Sequence, residues 1–210
     1  MADSAVSTAA VDLTDDAAVR ERLASSHVAI IGCGGLGSNI AMMLVRSGVR
    51  SLVLVDFDLV EQANLNRQIF FPDQIGEPKV VALAEMLTRL VPDLTLTLHQ
   101  VRATGESVAA LTAGADVVIE AVDGAHDKAA IARALLSVRP DIALVAASGI
   151  GGASSANGIV TERLGESYYV VGDHESGVHQ PGPLLASRVM AAAAHQAHMA
   201  IRLILSHPEP

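Results

Sequence analysis

The strongest constraint in this chain is a glycine run, Gly32-Cys33-Gly34-Gly35-Leu36-Gly37, set between an apolar stretch at 27–31 and an amphipathic one at 36–47. The G-x-G-x-x-G spacing allows a sharp turn and brings backbone close to phosphate. It also aims the free N–H groups and positive dipole of a helix N-terminus at an anion. Asp56 closes the next apolar run, roughly 20 residues on, where a carboxylate can accept hydrogen bonds from ribose hydroxyls. The same glycine turn serves NAD and FAD, or merely helix–sheet packing. It therefore dictates strand–turn–helix and leaves the chemistry open.

The rest of the chain continues the alternation. Apolar strands are predicted at 27–31, 51–56, 117–121 and 142–146, with a strand wet on one face at 94–101. Helices are predicted from an N-cap at Thr14 to about Ala24, over 36–47, over 77–90 with Pro78 at its first position, from about Ala125, and over 184–205. Residues 57–73 read as a loop with one helical turn, and 158–163 with 168–171 as a hairpin. Residues 148–158 and 173–183 read as loops rich in Gly, Ser or Pro. This order indicates an α/β fold: a Rossmann-like, doubly wound, mostly parallel sheet with helices on both faces. A frayed tail (1–13) precedes a single domain (14–210). With no Trp, two Tyr and three Phe in 210 residues, the core must be built from Ala, Val, Leu and Ile, which suits a parallel sheet covered by helices.

A net charge of −9 argues against a nucleic-acid partner. The single cysteine, Cys33, excludes an internal disulfide and a cysteine-rich zinc site, and suits a reducing cytoplasm. The first residues lack the pattern of a signal peptide. Residues 184–205 are apolar but interrupted by Arg188, His195, Gln196, His198 and Arg202, so a docked helix is expected and no membrane span.

Two further clusters narrow the chemistry. The first comprises Asp56-Phe57-Asp58, Asn64-Leu65-Asn66-Arg67-Gln68 and Lys79. Arg67 can present a planar fork to phosphate and Lys79 a point charge, and the Asn64 amide can donate to an oxygen near the α-phosphate. Lys79 can equally be a solvated residue in the first turn of a helix. The second cluster is Glu120-Ala121-Val122-Asp123, at the end of the fourth parallel strand. Ligands of open α/β sheets sit beyond the strand C-termini, so Asp123 should face the same crevice as Gly34 and Asp56. There it can bind Mg²⁺ together with substrate phosphates, cap the following helix, or do both.

These segments, in this order, resemble the ThiF/MoeB/HesA family, which is related to the ubiquitin-activating enzymes. Residues 145–149, 169–173 and 192–196 resemble its short form in particular. The likeness runs from about His27 to Leu205. It implies ATP·Mg²⁺-dependent adenylation of the C-terminal Gly-Gly carboxylate of a small ubiquitin-fold sulfur carrier, with release of pyrophosphate, in thiamine or related sulfur-incorporation biosynthesis. The implied nucleotide-binding residues are Gly32, Gly34, Gly35, Gly37, Asp56 at the ribose, Asp58, and Gln68 in support. Asn64, Arg67 and Lys79 would engage the phosphates, and Asp123 would position the metal. A homodimer and a separate sulfur donor are implied as well.

The chain departs from relatives that carry two Cys-x-x-Cys pairs, so no structural zinc is expected. Cys33 lies inside the glycine turn and reads as a small buried filler, so the chemistry should stop at the acyl-adenylate. An arginine that some relatives supply across a dimer has no clear counterpart; Arg20 and Arg22 are the nearest, and both read as surface residues. His195 and His198 have a spacing that can bind metal, but without a third ligand they read as ordinary histidines. Residues 148–152 line a channel for the glycine tail or form a plain loop, and 173–183 would order over the tail. An NAD(P)- or FAD-dependent oxidoreductase accounts for the glycines and Asp56 but not for Asn64, Arg67, Lys79 and Asp123. A noncatalytic nucleotide-binding module is the third reading.

Overall fold

The computed structural model describes residues 9–176 and 183–210. Most of the loop expected to order over a carrier tail therefore lies outside the described residues. The first helix, α1 (Asp16–Ser25), is capped by Asp15, not Thr14. The Asp15 carboxylate accepts from the N–H groups of Ala17 and Ala18 at 3.0 Å each, while the Thr14 hydroxyl turns back to Asp12 at 2.8 Å. A charged acceptor at the dipole's positive end is the better cap.

The strand–helix alternation then follows: β1 (His27–Ile31), α2 (Gly35–Ser47), β2 (Ser51–Val55), α3 (Lys79–Leu90), β3 (Thr95–His99), α4 (Val108–Leu111), β4 (Val117–Glu120), α5 (Ala125–Val138), β5 (Ala143–Ala147), β6 (Val160–Arg163), β7 (Tyr168–Gly172) and α6 (Ala186–Ile204). The sheet order is β3-β2-β1-β4-β5-β7-β6. Every pairing is parallel except β6 with β7. Winding runs outward from β1 in one direction and from β4 in the other, so a crevice opens between their C-terminal tips.

The period-two alternation of a strand explains the two cores. Val28 and Ile30 of β1 join Ile40 and Leu44 of α2, Leu83 and Leu87 of α3 and the alanines of α6. Ala29 and Ile31 point the other way, to Val108 of α4 and Ile131 and Leu135 of α5. Both faces of β1 are thus dry, which is why it reads as an unbroken apolar run. Ala192, Ala193, Ala197 and Ala200 let α6 lie close against α2, and buried Gln196 donates to the carbonyls of Glu120 (3.0 Å) and Val145 (3.3 Å).

Several local details differ from the sequence reading. Pro78 is the N-cap of α3, in extended conformation, and the helix begins at Lys79. The stretch read as a loop with one helical turn, 57–73, holds a short 3-10 turn at Gln62–Asn64, and a second, Pro72–Gln74, runs across its end. β3 lies at the sheet edge, where Leu96 packs on the core but Leu98 is 39% exposed. The four-residue α4 is too short to leave a periodic signal. Within the stretch read as a frayed tail, Val11 is held to the end of α6: its N–H donates to Leu205 O (3.0 Å) and His207 bonds its carbonyl (2.8 Å). Among the described residues no helix is long and apolar enough to cross a membrane.

Tyr169 of β7 is wholly buried, and its hydroxyl has no hydrogen-bond partner among the described residues. An unpaired buried hydroxyl costs roughly 1–3 kcal/mol in desolvation. Tyr169→Phe is therefore expected to stabilise the fold by about 1 kcal/mol, read as a rise in the urea unfolding midpoint.

Candidate functional site

The glycine turn sits at the β1/β4 switch point. Gly32 adopts φ +93°, and a Cβ there would lie 2.7 Å from the Ala121 carbonyl oxygen, so no other residue fits. Gly37 serves closeness: a Cβ would fall 1.8 Å from the Gly32 carbonyl oxygen, across the join of turn and helix. Asp56 ties the turn to β2. One carboxylate oxygen accepts from the Cys33 N–H at 2.6 Å and the other from the Asp58 N–H at 2.8 Å. Burial, then the neighbouring Asp56 charge, pushes the Cys33 thiol well up, so the chain's thiol is a protonated filler with no nucleophilic character at neutral pH.

Beyond the turn lies a cleft of about 320 Å³. Of the residues expected at the site, Gly32, Gly34, Asp56, Asp58, Lys79 and Asp123 line it. Gly35, Gly37, Asn64, Arg67 and Gln68 do not. They form a second tier beside the turn, in which the Arg67 stem packs 3.6 Å from the Cβ position of Gly35 and the Gln68 amide 3.6 Å from that of Gly34. Asn39 of α2 fixes this tier by donating to the carbonyls of Gly35 (2.7 Å) and Arg67 (3.1 Å). Asn64 uses its side-chain oxygen to cap the Glu61 N–H at 3.1 Å, and Gln68 Oε1 is buried with no partner among the described residues.

The charges divide cleanly. Lys79 pairs with Asp58 at 2.9 Å. Arg102 pairs with Asp127 at 3.2 Å and lies 3.9 Å over the Phe57 ring. Arg67 is different, since among the described residues its guanidinium donates only to neutral acceptors, Ala63 O (2.9 Å) and Asn66 Oδ1 (2.8 Å). An uncompensated cation therefore stands beside the N-terminus of α2. Asp123 is exposed and makes no hydrogen bond or ion pair among the described residues. No group of three or more His, Cys, Asp or Glu side chains is assembled for a metal among the described residues. His195 instead meets Thr161 at 3.2 Å.

Three pairings went unforeseen. Arg102 stacks on Phe57. Lys128 Nζ lies 3.1 and 3.2 Å from the two oxygens of fully buried Glu120. Buried Arg188 pairs with Asp173 and donates to the carbonyls of Gly151 (3.0 Å), Ser154 and Ser155 (2.7 Å each). Of these, Glu120 carried a signal: a carboxylate closing a run of buried strand residues requires a cation.

Burial is the main cause holding the Asp56 carboxyl above its ordinary range, opposed by its two N–H bonds and by Lys79. The folded chain thus binds this proton more tightly than the unfolded chain. The associated stability is complete below the unfolded carboxylate pKa and is lost as pH rises through the raised one. Glu120 is shifted in the same direction, again chiefly by burial. Asp56→Asn is expected to flatten the fall in urea midpoint as the pH rises above about 4, leaving the part due to Glu120.

Over 143 residues the chain is 40% identical to the sulfur carrier protein ThiS adenylyltransferase of Escherichia coli (strain K12), a match covering 67% of this chain and 57% of that protein. Over 84 residues it is 48% identical to ubiquitin-like modifier-activating enzyme 5 of Drosophila persimilis, covering 40% of this chain and 22% of that protein. The chain therefore spans little more than half of the first relative and less than a quarter of the second. Among solved structures, E. coli tRNA N6-threonylcarbamoyladenosine dehydratase, TcdA, in complex with ATP, has the same fold: TM-score 0.81 at 23% identity, covering 90% of this chain and 89% of that one. The ThiF family model matches residues 7–210, and the chain belongs to the ThiF family.

Proposed function

We propose that this chain binds ATP with Mg²⁺ and adenylates the C-terminal glycine carboxylate of a small ubiquitin-fold sulfur carrier, in thiamine or related sulfur-incorporation biosynthesis. The observation that carries this reading is the unpaired charge of Arg67 beside the glycine turn at the start of α2. A cation there, with no carboxylate partner among the described residues, suits the phosphates of a nucleotide.

In the reaction, a carboxylate oxygen attacks the α-phosphorus. The bond from that phosphorus to the bridging oxygen breaks, and its electron pair leaves with pyrophosphate. No proton need be removed from the nucleophile, so the protein has to align it and neutralise charge. Asp56 holds the ribose: each oxygen already accepts one N–H and retains a lone pair for a hydroxyl. Asn64 has its oxygen committed to Glu61, which leaves its amide group to donate toward the α-phosphate. Arg67 and Lys79 offset the phosphate charge, Asp58 steadies Lys79, and Gln68 supports the glycine turn through its amide nitrogen, packed beside Gly34.

The donor set also fits Mg²⁺. Asp123 is an exposed carboxylate lining the cleft, without a partner among the described residues, and this ion is commonly held by one or two carboxylates plus substrate phosphates. When bound, the ion would supply charge neutralisation at the phosphates. A homodimer, a separate sulfur donor and a cytoplasmic setting belong to the same reading.

Pyrophosphate exchange with candidate carriers ending in Gly-Gly tests the proposal, and failure with all of them despite bound ATP would remove it. Isothermal titration provides a second check: ATP with Mg²⁺ is expected to bind and NADH is not, the reverse indicating an oxidoreductase. Arg67→Ala and Asp123→Ala are each expected to reduce exchange about 100-fold with little change in urea midpoint, since neither side chain has an ion-pair partner among the described residues. Cys33→Ala is expected to retain most of the exchange activity.

A further inference from the structure

A second, smaller pocket of about 140 Å³ adjoins the nucleotide cleft, and Val122 and Asp123 line both. Its walls are apolar or slight, including Leu36, Ala147, Gly149 and Ile150. The volume rejects a folded partner and suits the extended, side-chain-poor end of a peptide. Lys128 is the one cation among its described lining residues. The loop forming one wall is held by buried Arg188, through its bonds to Gly151 O, Ser154 O and Ser155 O.

Lys128 is anchored from behind. Glu120 is 0% exposed and receives Lys128 Nζ on both oxygens, together with the Val122 N–H at 2.7 Å. The lysine side chain keeps 23% of its surface. An ammonium has three donors, and Glu120 engages two directions, so the third is available to the pocket. A buried carboxylate needs a partner, but this partner is only partly covered and lines a cavity that runs to Asp123. The pocket also poses an electrostatic problem for an anionic ligand: Asp123 stands at its junction with the cleft, and the chain as a whole carries −9. A peptide carboxylate moving toward the nucleotide must pass that charge, and the remaining N–H of Lys128, whose charge is balanced from behind by Glu120, offers it a charge-assisted hydrogen bond.

We propose that Lys128, held rigid by Glu120, receives the free C-terminal carboxylate of an extended, glycine-ended peptide in the small pocket and presents it beside Asp123. This inference rests on the adenylation reading and assigns the pocket's specificity to the charged end of the peptide. Lys128 is a binding and positioning residue, and it moves no proton in the reaction.

The test uses the full chain saturated with a nonhydrolysable ATP analogue. The ligands are a carrier that supports exchange and a synthetic peptide of its last eight residues, each as free acid and as C-terminal amide. The parent is expected to bind the acid at least tenfold more tightly than the amide. Lys128→Met leaves Glu120 without its cation, so the neutral pair Glu120→Gln/Lys128→Met provides a variant without a stranded buried charge. Both variants are expected to bind acid and amide equally, with ATP affinity unchanged. Retention of the acid preference in the folded neutral pair would overturn the inference and leave adenylation standing. Absence of exchange with every carrier in the parent would overturn both. Acid preference with the isolated peptide assigns recognition to the tail itself. Acid preference seen only with the intact carrier assigns it to a carboxylate delivered by a folded partner. Either result supports the role of Lys128.

Discussion

The Asp56 carboxylate, shared between the N–H groups of Cys33 and Asp58, is the contact on which the rest of the site depends. It joins the turn after β1 to the turn after β2, and so fixes where the N-terminus of α2 points. With Gly32 pressed against Ala121 from the other side, the turn is held between β2 and β4. Burying an ionisable group to do this is costly, and its raised affinity for a proton is the measure of that cost. The contact persists because two backbone donors would otherwise be left unpaired in a dry region.

Charge is organised around this frame in two tiers. In the cleft, Lys79 and Arg102 each carry a carboxylate partner, so their positive charge is locally balanced. Beside the turn, Arg67 has only neutral acceptors among the described residues. In the proposed reading, a polyanion meets this guanidinium and the helix terminus together. On the far side of Asp123, Glu120 and Lys128 reverse the Asp58–Lys79 arrangement: the carboxylate is now the buried partner and the lysine the partly covered one.

How much could be read from the sequence varied with the distance between partners. The turn, Asp56 and the β1–α2–β2 unit were legible because each signal is local: apolar runs, glycine spacing, and a carboxylate at a strand end. The β4–α5–β5 unit and the β6–β7 hairpin were also legible, but not the pairing of β7 with β5, which joins partners over 20 residues apart. Arg102 on Phe57 and Arg188 on Asp173 left no such trace, since their partners are 45 and 15 residues away and a lone arginine in a polar stretch or an apolar helix has no period. Thr14 against Asp15, and Pro78 at the cap instead of the first helical position, are one-residue ambiguities that tertiary bonds resolve. The Asp58 carbonyl, for example, takes the Lys79 N–H at 3.0 Å.

The aromatic poverty of the core has an optical corollary. The chain has no Trp, and both tyrosines, Tyr168 and Tyr169, are adjacent on β7. Intrinsic emission therefore originates from a single strand between β5 and β6, away from the glycine turn. Ultraviolet fluorescence becomes a local reporter of sheet integrity at that margin, and nucleotide occupancy has to be followed with a label or with heat.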